Sequence, residues 1–393
     1  MAYARRVNVQ PAPRQPAPGA YPVVGMVGAG QLARMTAQAA ISLGVGFRVL
    51  ADTSDDSAAA VSPGAVVGDY RSLDDLLAFA AGCDVITFDH EHVPAGQLAE
   101  LAGAAALHPG PGALRFAQDK LAMRETLAGL GIRCPRFAPV SGLAEVEEFA
   151  AKSGWPVVLK AIRGGYDGRG VWVCGSPAEA AEVLGHDVAV LAEEYVPFRR
   201  ELAAQVARSP HNQAAAYPVV ETVQRDGVCH QVIAPAPQLP PRLAAEAQHI
   251  ALTIAAELGV TGLLAVELFE VADGLLVNEL AMRPHNSGHW TIDGAKTSQF
   301  EQHLRAVLDL PLGDVGPLAP YAVMANVFGG ADPDIYSRYV HVMAADPGVK
   351  VHLYGKAVRP GRKIGHVTVL GADPAAAAGR AARAARYLGA GEE

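Results

Sequence analysis

Glu267 and Glu279 stand on two apolar runs, VELFEV and GLLVNEL, joined by the turn residues Ala272, Asp273 and Gly274. A three-residue turn with Gly274 left-handed sets Glu267 directly opposite Glu279, on one face of a hairpin. A two-residue turn shifts the pairing by one and sends the two carboxylates to opposite faces. Like charges opposed across a ladder are destabilising, unless a cation bridges them. Carboxylates together with phosphate oxygens are the usual way Mg²⁺ is held in nucleotide sites. The plainer reading is a pair of solvated acids on an edge hairpin; the apolar neighbours on both runs favour the metal.

Upstream, RGGYDGRG (residues 163–170) follows the apolar run PVVLK. Four glycines let backbone approach a ligand closely, while Arg163, Tyr166, Asp167 and Arg169 supply groups that a plain linker has no use for. Lys160 ends the strand just before this loop. It either snorkels to water or grips phosphate oxygens. Downstream, MRPHNSGHW places Arg283, His285 and Asn286 beside the carboxylate hairpin. Pro284 and Gly288 argue against a helix carrying His285 and His289, so a zinc pair is not expected. In LYGKAVRPGRKIGH, Lys356, Arg359, Arg362 and Lys363 lie close together, with no acid from residue 347 to 372. An unneutralised cluster in a chain of net charge −8 points to an anion site. Finally, Gly28, Gly30 and Ala33, with Asp52 after the next strand, match a dinucleotide fingerprint. They also match a tight strand-to-helix turn, or a cradle for a substrate phosphate.

These residues need a scaffold. The chain has 393 residues, half of them hydrophobic and 18% charged, which is globular and too long for one core. Its acidic balance excludes non-specific binding to nucleic acid or an anionic membrane. Residues 315–331 lack Asp, Glu, Lys and Arg but hold two prolines and three glycines, and they are too few to span a bilayer. Residues 1–21 carry no apolar signal segment and have the composition of a disordered tail. The four cysteines form no CxxC pair and are expected to be free thiols of a cytoplasmic protein. YPVVGMV, FRVLAD and CDVITFD alternate with helical spacing, which predicts an N-terminal open parallel α/β domain over 22–118. DKLAMRETLAGLGI reads as a helix opening a two-lobed central domain over 119–313, and a small β-rich domain is expected over 314–386, closed by an Ala-rich helix.

Taken together, GAGQLARM, RGGYDGRG, VELF…VNELAMRPHNSGHW and YGKAVRPGRKIGH resemble the ATP-grasp superfamily, and within it the 5-(carboxyamino)imidazole ribonucleotide synthetases. The resemblance spans residues 23 to about 370. It implies an ATP site in which Lys120 and Lys160 contact phosphates and Gly165 and Gly168 close over them. Glu193 and the backbone near Val196 would hold the adenine, Glu201 the ribose, and Glu267 and Glu279 the Mg²⁺. Aminoimidazole ribonucleotide would meet Tyr166, Asp167 and Arg169, with Glu91, Lys356 and Arg362 toward its phosphate end. Arg283, His285 and Asn286 would sit by bicarbonate and the transferred phosphoryl group, and Asp167 or His285 would take the amine proton. A homodimer, and a separate mutase acting on the product, are also implied. Ala33 departs from the family's usual glycine and Arg124 from its common lysine, and His90 and His92 lie in a stretch that varies. A different ATP-grasp ligase, a dinucleotide-dependent oxidoreductase and an inactive paralogue remain as rival readings.

Overall fold

The computed structural model describes residues 20–165, 169–186 and 188–391. Five short strands, β1 (Val23–Val27), β2 (Gly46–Ala51), β3 (Ala65–Val67), β4 (Val85–Phe88) and β5 (Ala106–Leu107), form a parallel sheet in the order β3-β2-β1-β4-β5. β4 is buried on both faces, as a strand covered by crossover helices must be. The first crossover helix, Gln31–Leu43, stops at Gly44 in the left-handed conformation (φ 69°), which an L-residue adopts at a cost.

The glycine fingerprint at its N-terminus serves the fold. Asp89, just after β4, accepts from the backbone N–H groups of Gly30 (2.6 Å) and Ala33 (3.0 Å). A carboxylate of the chain itself therefore satisfies the amides that a cofactor pyrophosphate would use. Of the readings open for this turn, the tight strand-to-helix geometry is the one realised.

A small antiparallel lobe comprises β6 (Phe137–Val140), β7 (Val157–Ala161), β8 (Val171–Cys174) and β9 (Val190–Glu194), in the order β6-β9-β7-β8. The larger lobe begins with β10 (Arg200–Arg208), β11 (Ala214–Ala216), β12 (Val220–Arg225) and β13 (Val228–Ala234). It continues with the hairpin β14 (Gly262–Val271) and β15 (Gly274–Ala281). Helix Pro241–Glu257 buries Ala247, Ala251, Ile254 and Ala255, one helical stripe, against this lobe. The C-terminal strands β16 (Tyr321–Phe328), β17 (Lys350–Leu353) and β18 (Lys363–Gly371) do not make a separate layer. β16 pairs with β13, so one sheet runs β15-β14-β10-β12-β13-β16-β18-β17. A segment boundary near residue 313 thus falls in a loop that the sheet spans. The Ala-rich helix Pro374–Ala390 packs its small face on that extension. The four cysteines are free thiols, and no helix among the described residues is long and apolar enough to cross a membrane.

The N-terminal domain docks through a buried polar contact. His303, on helix Gln299–Val307, hydrogen-bonds Thr87 of β4 through Nε2 (2.8 Å) and accepts from the Leu263 N–H at Nδ1 (3.2 Å). Burial pushes this imidazole down to about 3. The unfolded chain therefore binds a proton below about pH 6.5 that the folded chain refuses until about pH 3. Stability is fully present above 6.5 and falls by up to about 1.4 kcal/mol per pH unit below it. His303→Gln keeps an acceptor and a donor but does not titrate. We expect its thermal unfolding temperature to fall less steeply than wild type from pH 6.5 to 4; parallel slopes would exclude His303 as the sensor.

Candidate active site

A cleft of about 960 Å³ opens between the two lobes and is also lined by the loop after β4 and by Lys363. The carboxylate hairpin forms its floor. Of the two turns the sequence allows, the tighter is realised: Val271 pairs with Gly274, leaving only Ala272 and Asp273 between the strands. Continued without interruption, that register would separate the carboxylates. Instead it shifts between Glu267 and Leu268: Leu268 pairs with Val277 but Glu267 with Glu279. Asn278 is the extra residue, a β-bulge, and it turns Glu279 back to face Glu267.

The consequence is electrostatic. Burial, then the charges of Glu279 and Glu201, push Glu267 up to about 8. Burial pushes Glu279 the same way, but the Lys120 ammonium, 2.7 Å from its Oε1, with Lys160 and His285, brings it below the usual carboxylate range. His285 Nε2 lies 3.5 Å from Glu267 Oε1. Two opposed carboxylates, one of them pushed up by burial and by its neighbours' charges, fit a divalent cation, which would favour the charged form of both. No group of three or more His, Cys, Asp and Glu suited to a metal occurs among the described residues. The two glutamates could therefore hold Mg²⁺ only with oxygens from a ligand completing its shell, as in nucleotide sites.

Beside the hairpin a buried ion network positions Lys160. Lys160 Nζ reaches Glu193 Oε2 at 2.7 Å and Asn278 Oδ1 at 2.9 Å. Arg124 Nε reaches the other oxygen of Glu193 at 2.6 Å. Burial alone would raise Glu193, but these two cations hold it at about 2. The resemblance placed Glu193 against the adenine; the residue lines the cleft, and both its carboxylate oxygens are engaged by cations. Beyond it the chain passes Val196 and Phe198, which line the cleft with Val158, Val173 and Leu280. That makes an apolar slot suited to a flat ring. Glu201, pushed up to about 7 by burial although Lys160 opposes it, lines the same end.

Lys120 is fixed at both ends. Its N–H donates to Ile162 O at 2.9 Å, and Asp119, which caps its helix, binds Arg163 of the glycine loop at 2.7 Å. Gly164 and Gly170 have positive φ (79° and 74°), and a Cβ on Gly165 would come 2.8 Å from Arg169 O. The loop thus enters and leaves the cleft in a conformation that needs glycine. Tyr166, Asp167 and Gly168 lie outside the described residues.

On the far side Arg283 Nε lies 2.8 Å from Glu91 Oε1 without the alignment of a hydrogen bond, tying the N-terminal domain to the large lobe. His285 shares a 2.9 Å hydrogen bond between Nδ1 and Ser287 Oγ. The Asn286 amide nitrogen is buried and makes no hydrogen bond to nitrogen or oxygen among the described residues, a donor that a ligand could use. The basic loop divides: Lys356 bonds Gln31 of the N-terminal domain, Lys363 lines the cleft, and Arg362 is exposed, donating to Ala357 O at 3.2 Å. The sequence assigned no individual site role to Arg124, Asn278 or Lys363: Arg124 stood out only as a departure from the family's lysine, Lys363 only within the basic cluster, and Asn278 only as the residue before Glu279.

An antiparallel two-lobed cleft, with a glycine loop, paired lysines and a carboxylate hairpin, beside a parallel α/β domain, defines the ATP-grasp class of ATP-binding ligases. The ATP-grasp domain family matches residues 125–300, the ribonucleotide synthetase preATP-grasp domain residues 22–118, and the phosphoribosylaminoimidazole carboxylase C-terminal domain residues 322–380. N5-carboxyaminoimidazole ribonucleotide synthase of Mycobacterium tuberculosis is 58% identical over 376 residues, covering 93% of this chain and 88% of that protein. The crystal structure of the Thermus thermophilus synthetase superposes with a TM-score of 0.84 at 38% identity, covering 93% of this chain and 98% of that one. An Aspergillus clavatus synthase, in complex with ADP and 5-aminoimidazole ribonucleotide, does so at 0.86 and 33%, covering 94% and 98%. The chain belongs to the N5-carboxyaminoimidazole ribonucleotide synthase family and is an ATP-dependent ligase of purine biosynthesis.

If Glu267 and Glu279 hold the cation, Glu267→Gln and Glu279→Gln should each lower Mg²⁺-dependent ATP turnover by at least about a hundredfold. Their unfolding temperatures should stay near wild type, because each change relieves a repulsion. Turnover near wild type at millimolar Mg²⁺ would remove the hairpin from the metal site.

Proposed function

We propose that the enzyme carboxylates the exocyclic amine of 5-aminoimidazole ribonucleotide with bicarbonate and ATP, through carboxyphosphate. The observation that carries this is the Asn278 bulge, which brings Glu267 and Glu279 face to face beneath Lys120 and Lys160. It lies within a cleft long enough to reach the basic loop. Mg²⁺ held by the two glutamates supplies charge neutralisation at the β- and γ-phosphates.

Lys120 and Lys160 hold those phosphates in line, and the glycine loop (Gly165, Gly168) closes over them. The slot near Val196 takes the adenine, the chain at Glu193 contributing backbone while its carboxylate orients Lys160; Glu201 takes the ribose. A bicarbonate oxygen attacks the γ-phosphorus as the bond to ADP breaks. Arg283 and Asn286 offset the charge that collects on bicarbonate and the moving phosphoryl group. The amine nitrogen then bonds the carboxyl carbon, phosphate departs, and Asp167 or His285 takes the amine proton. Carboxyphosphate hydrolyses readily in water, so closure of the glycine loop protects it. Tyr166, Asp167, Arg169 and Glu91 contact the ribonucleotide, with Lys356, Arg362 and Lys363 toward its phosphate. Segment boundaries at 118 and 313, a cytoplasmic homodimer, and a separate mutase consuming the product complete the reading.

ADP release with Mg²⁺, ATP and bicarbonate should rise strongly on adding aminoimidazole ribonucleotide, with one carboxylated product per ADP. Bicarbonate-dependent release indifferent to the ribonucleotide would reassign the acceptor. Within the basic loop, Lys363→Ala should raise the KM for the ribonucleotide at least about tenfold, the equivalent of about 1.4 kcal/mol of binding. Arg362→Ala should raise it less; the reverse order would return the phosphate end to Arg362.

A further inference from the structure

The pairing that the proposed metal site depends on is not the one its turn favours. A two-residue connection sets Val271 against Gly274, Glu270 against Leu275 and Leu268 against Val277. One more step in that register would match Glu267 with Asn278 and carry Glu279 to the other face of the sheet. Something must hold the extra residue in place, and β15 lies at the edge of its sheet, so no further strand does so.

We propose that Arg124 is the positioning residue that locks the Asn278 bulge, and thereby sets Glu279 opposite Glu267. The side chain is fully buried. Its Nη1 donates to Val277 O at 3.1 Å and its Nη2 to Asn278 O at 2.8 Å. These are the carbonyls on either side of the register shift. The same segment of chain pairs the strand's outer edge once more, where the Val277 N–H donates to Arg133 O at 2.8 Å. The third arm, Nε, binds Glu193, which binds Lys160, which binds Asn278 Oδ1. Four residues therefore close a ring: Arg124, Glu193, Lys160, Asn278. A planar fork with several fixed donors can span two consecutive carbonyls and a carboxylate at once. The ring couples the position of the phosphate-facing lysine to that of the metal-facing glutamate. Bulges beside active sites commonly re-aim a side chain in this way; here the restraint comes from a helix packed behind the hairpin.

The inference rests on the proposed metal site, and it competes with a simpler role in which Arg124 only neutralises Glu193. Removing both charges separates the two. Mn²⁺ affinity, read by electron paramagnetic resonance with a non-hydrolysable ATP analogue at saturation, is compared between Glu193→Gln and the double variant Arg124→Met/Glu193→Gln, alongside their unfolding temperatures. A lost bulge restraint lowers Mn²⁺ affinity at least about tenfold in the double variant relative to the single, the range seen when groups supporting a metal ligand are removed. Equal affinities would overturn the proposal and leave charge neutralisation as the role of Arg124. If the methionine variant does not fold, Arg124→Gln/Glu193→Gln, which retains one donor, replaces it, with equality to the single variant again overturning the proposal. Failure of the metal site itself is distinguishable: wild type would then bind Mn²⁺ no better than Glu279→Gln.

Discussion

Two carboxylates held opposite each other across a β-ladder oppose the folding of the hairpin that carries them. Burial and the charges of Glu279 and Glu201 push Glu267 up, and the Lys120 ammonium against Glu279 brings that carboxyl down. Everything near the hairpin answers to that constraint. The bulge creates the opposition, the buried ring around Arg124 surrounds it, and the lysines and His285 temper it. A protein would not maintain such an arrangement for stability. In the proposed function, a cation with bound phosphates would relieve the repulsion, so the affinity for ligand would be prepared in the folded state.

The same logic runs through the rest of the cleft. The chain as a whole is acidic, yet Lys120, Lys160, Arg283 and Lys363 line one cavity. Their mutual repulsion is managed by acids that the chain provides behind them: Glu279 for Lys120, Glu193 for Lys160 and Glu91 for Arg283. Arg283 and Glu91 come from different domains, as do Lys356 and Gln31. An ion pair and a hydrogen bond from a lysine therefore also join the three parts of the chain, together with the docking contact at His303.

Much of this was legible before any coordinates. The glycine loop, Lys160 near the end of β7 and the hairpin acids are local patterns whose residue types betray their chemistry. Where the reading went astray, the reason is physical. The turn was open between three residues and two; it is two, and the carboxylates face each other only because a bulge at Asn278 restores the pairing. A bulge stabilised by an arginine from a distant helix leaves no periodic trace. The fingerprint at Gly28 and Gly30 was equally compatible with a bound phosphate. Asp89, some sixty residues away in the chain, takes those amides, and only a folded sheet brings β1 and β4 together.

By itself the sequence determined the alternation that makes the parallel sheet, the two apolar strands carrying Glu267 and Glu279, and a set of cations too concentrated to be incidental. These follow from composition and short-range spacing, because strand pleat and turn chemistry act over a few residues. The tertiary structure alone decided which carboxylate partners which cation. It engaged Glu193 with Arg124 and Lys160, turned Lys363 toward the cleft while Arg362 stayed at the surface, and ran the C-terminal strands onto the central sheet. Ion pairs and strand order are long-range choices, made when burial forces each charge to find whichever partner the fold has brought near.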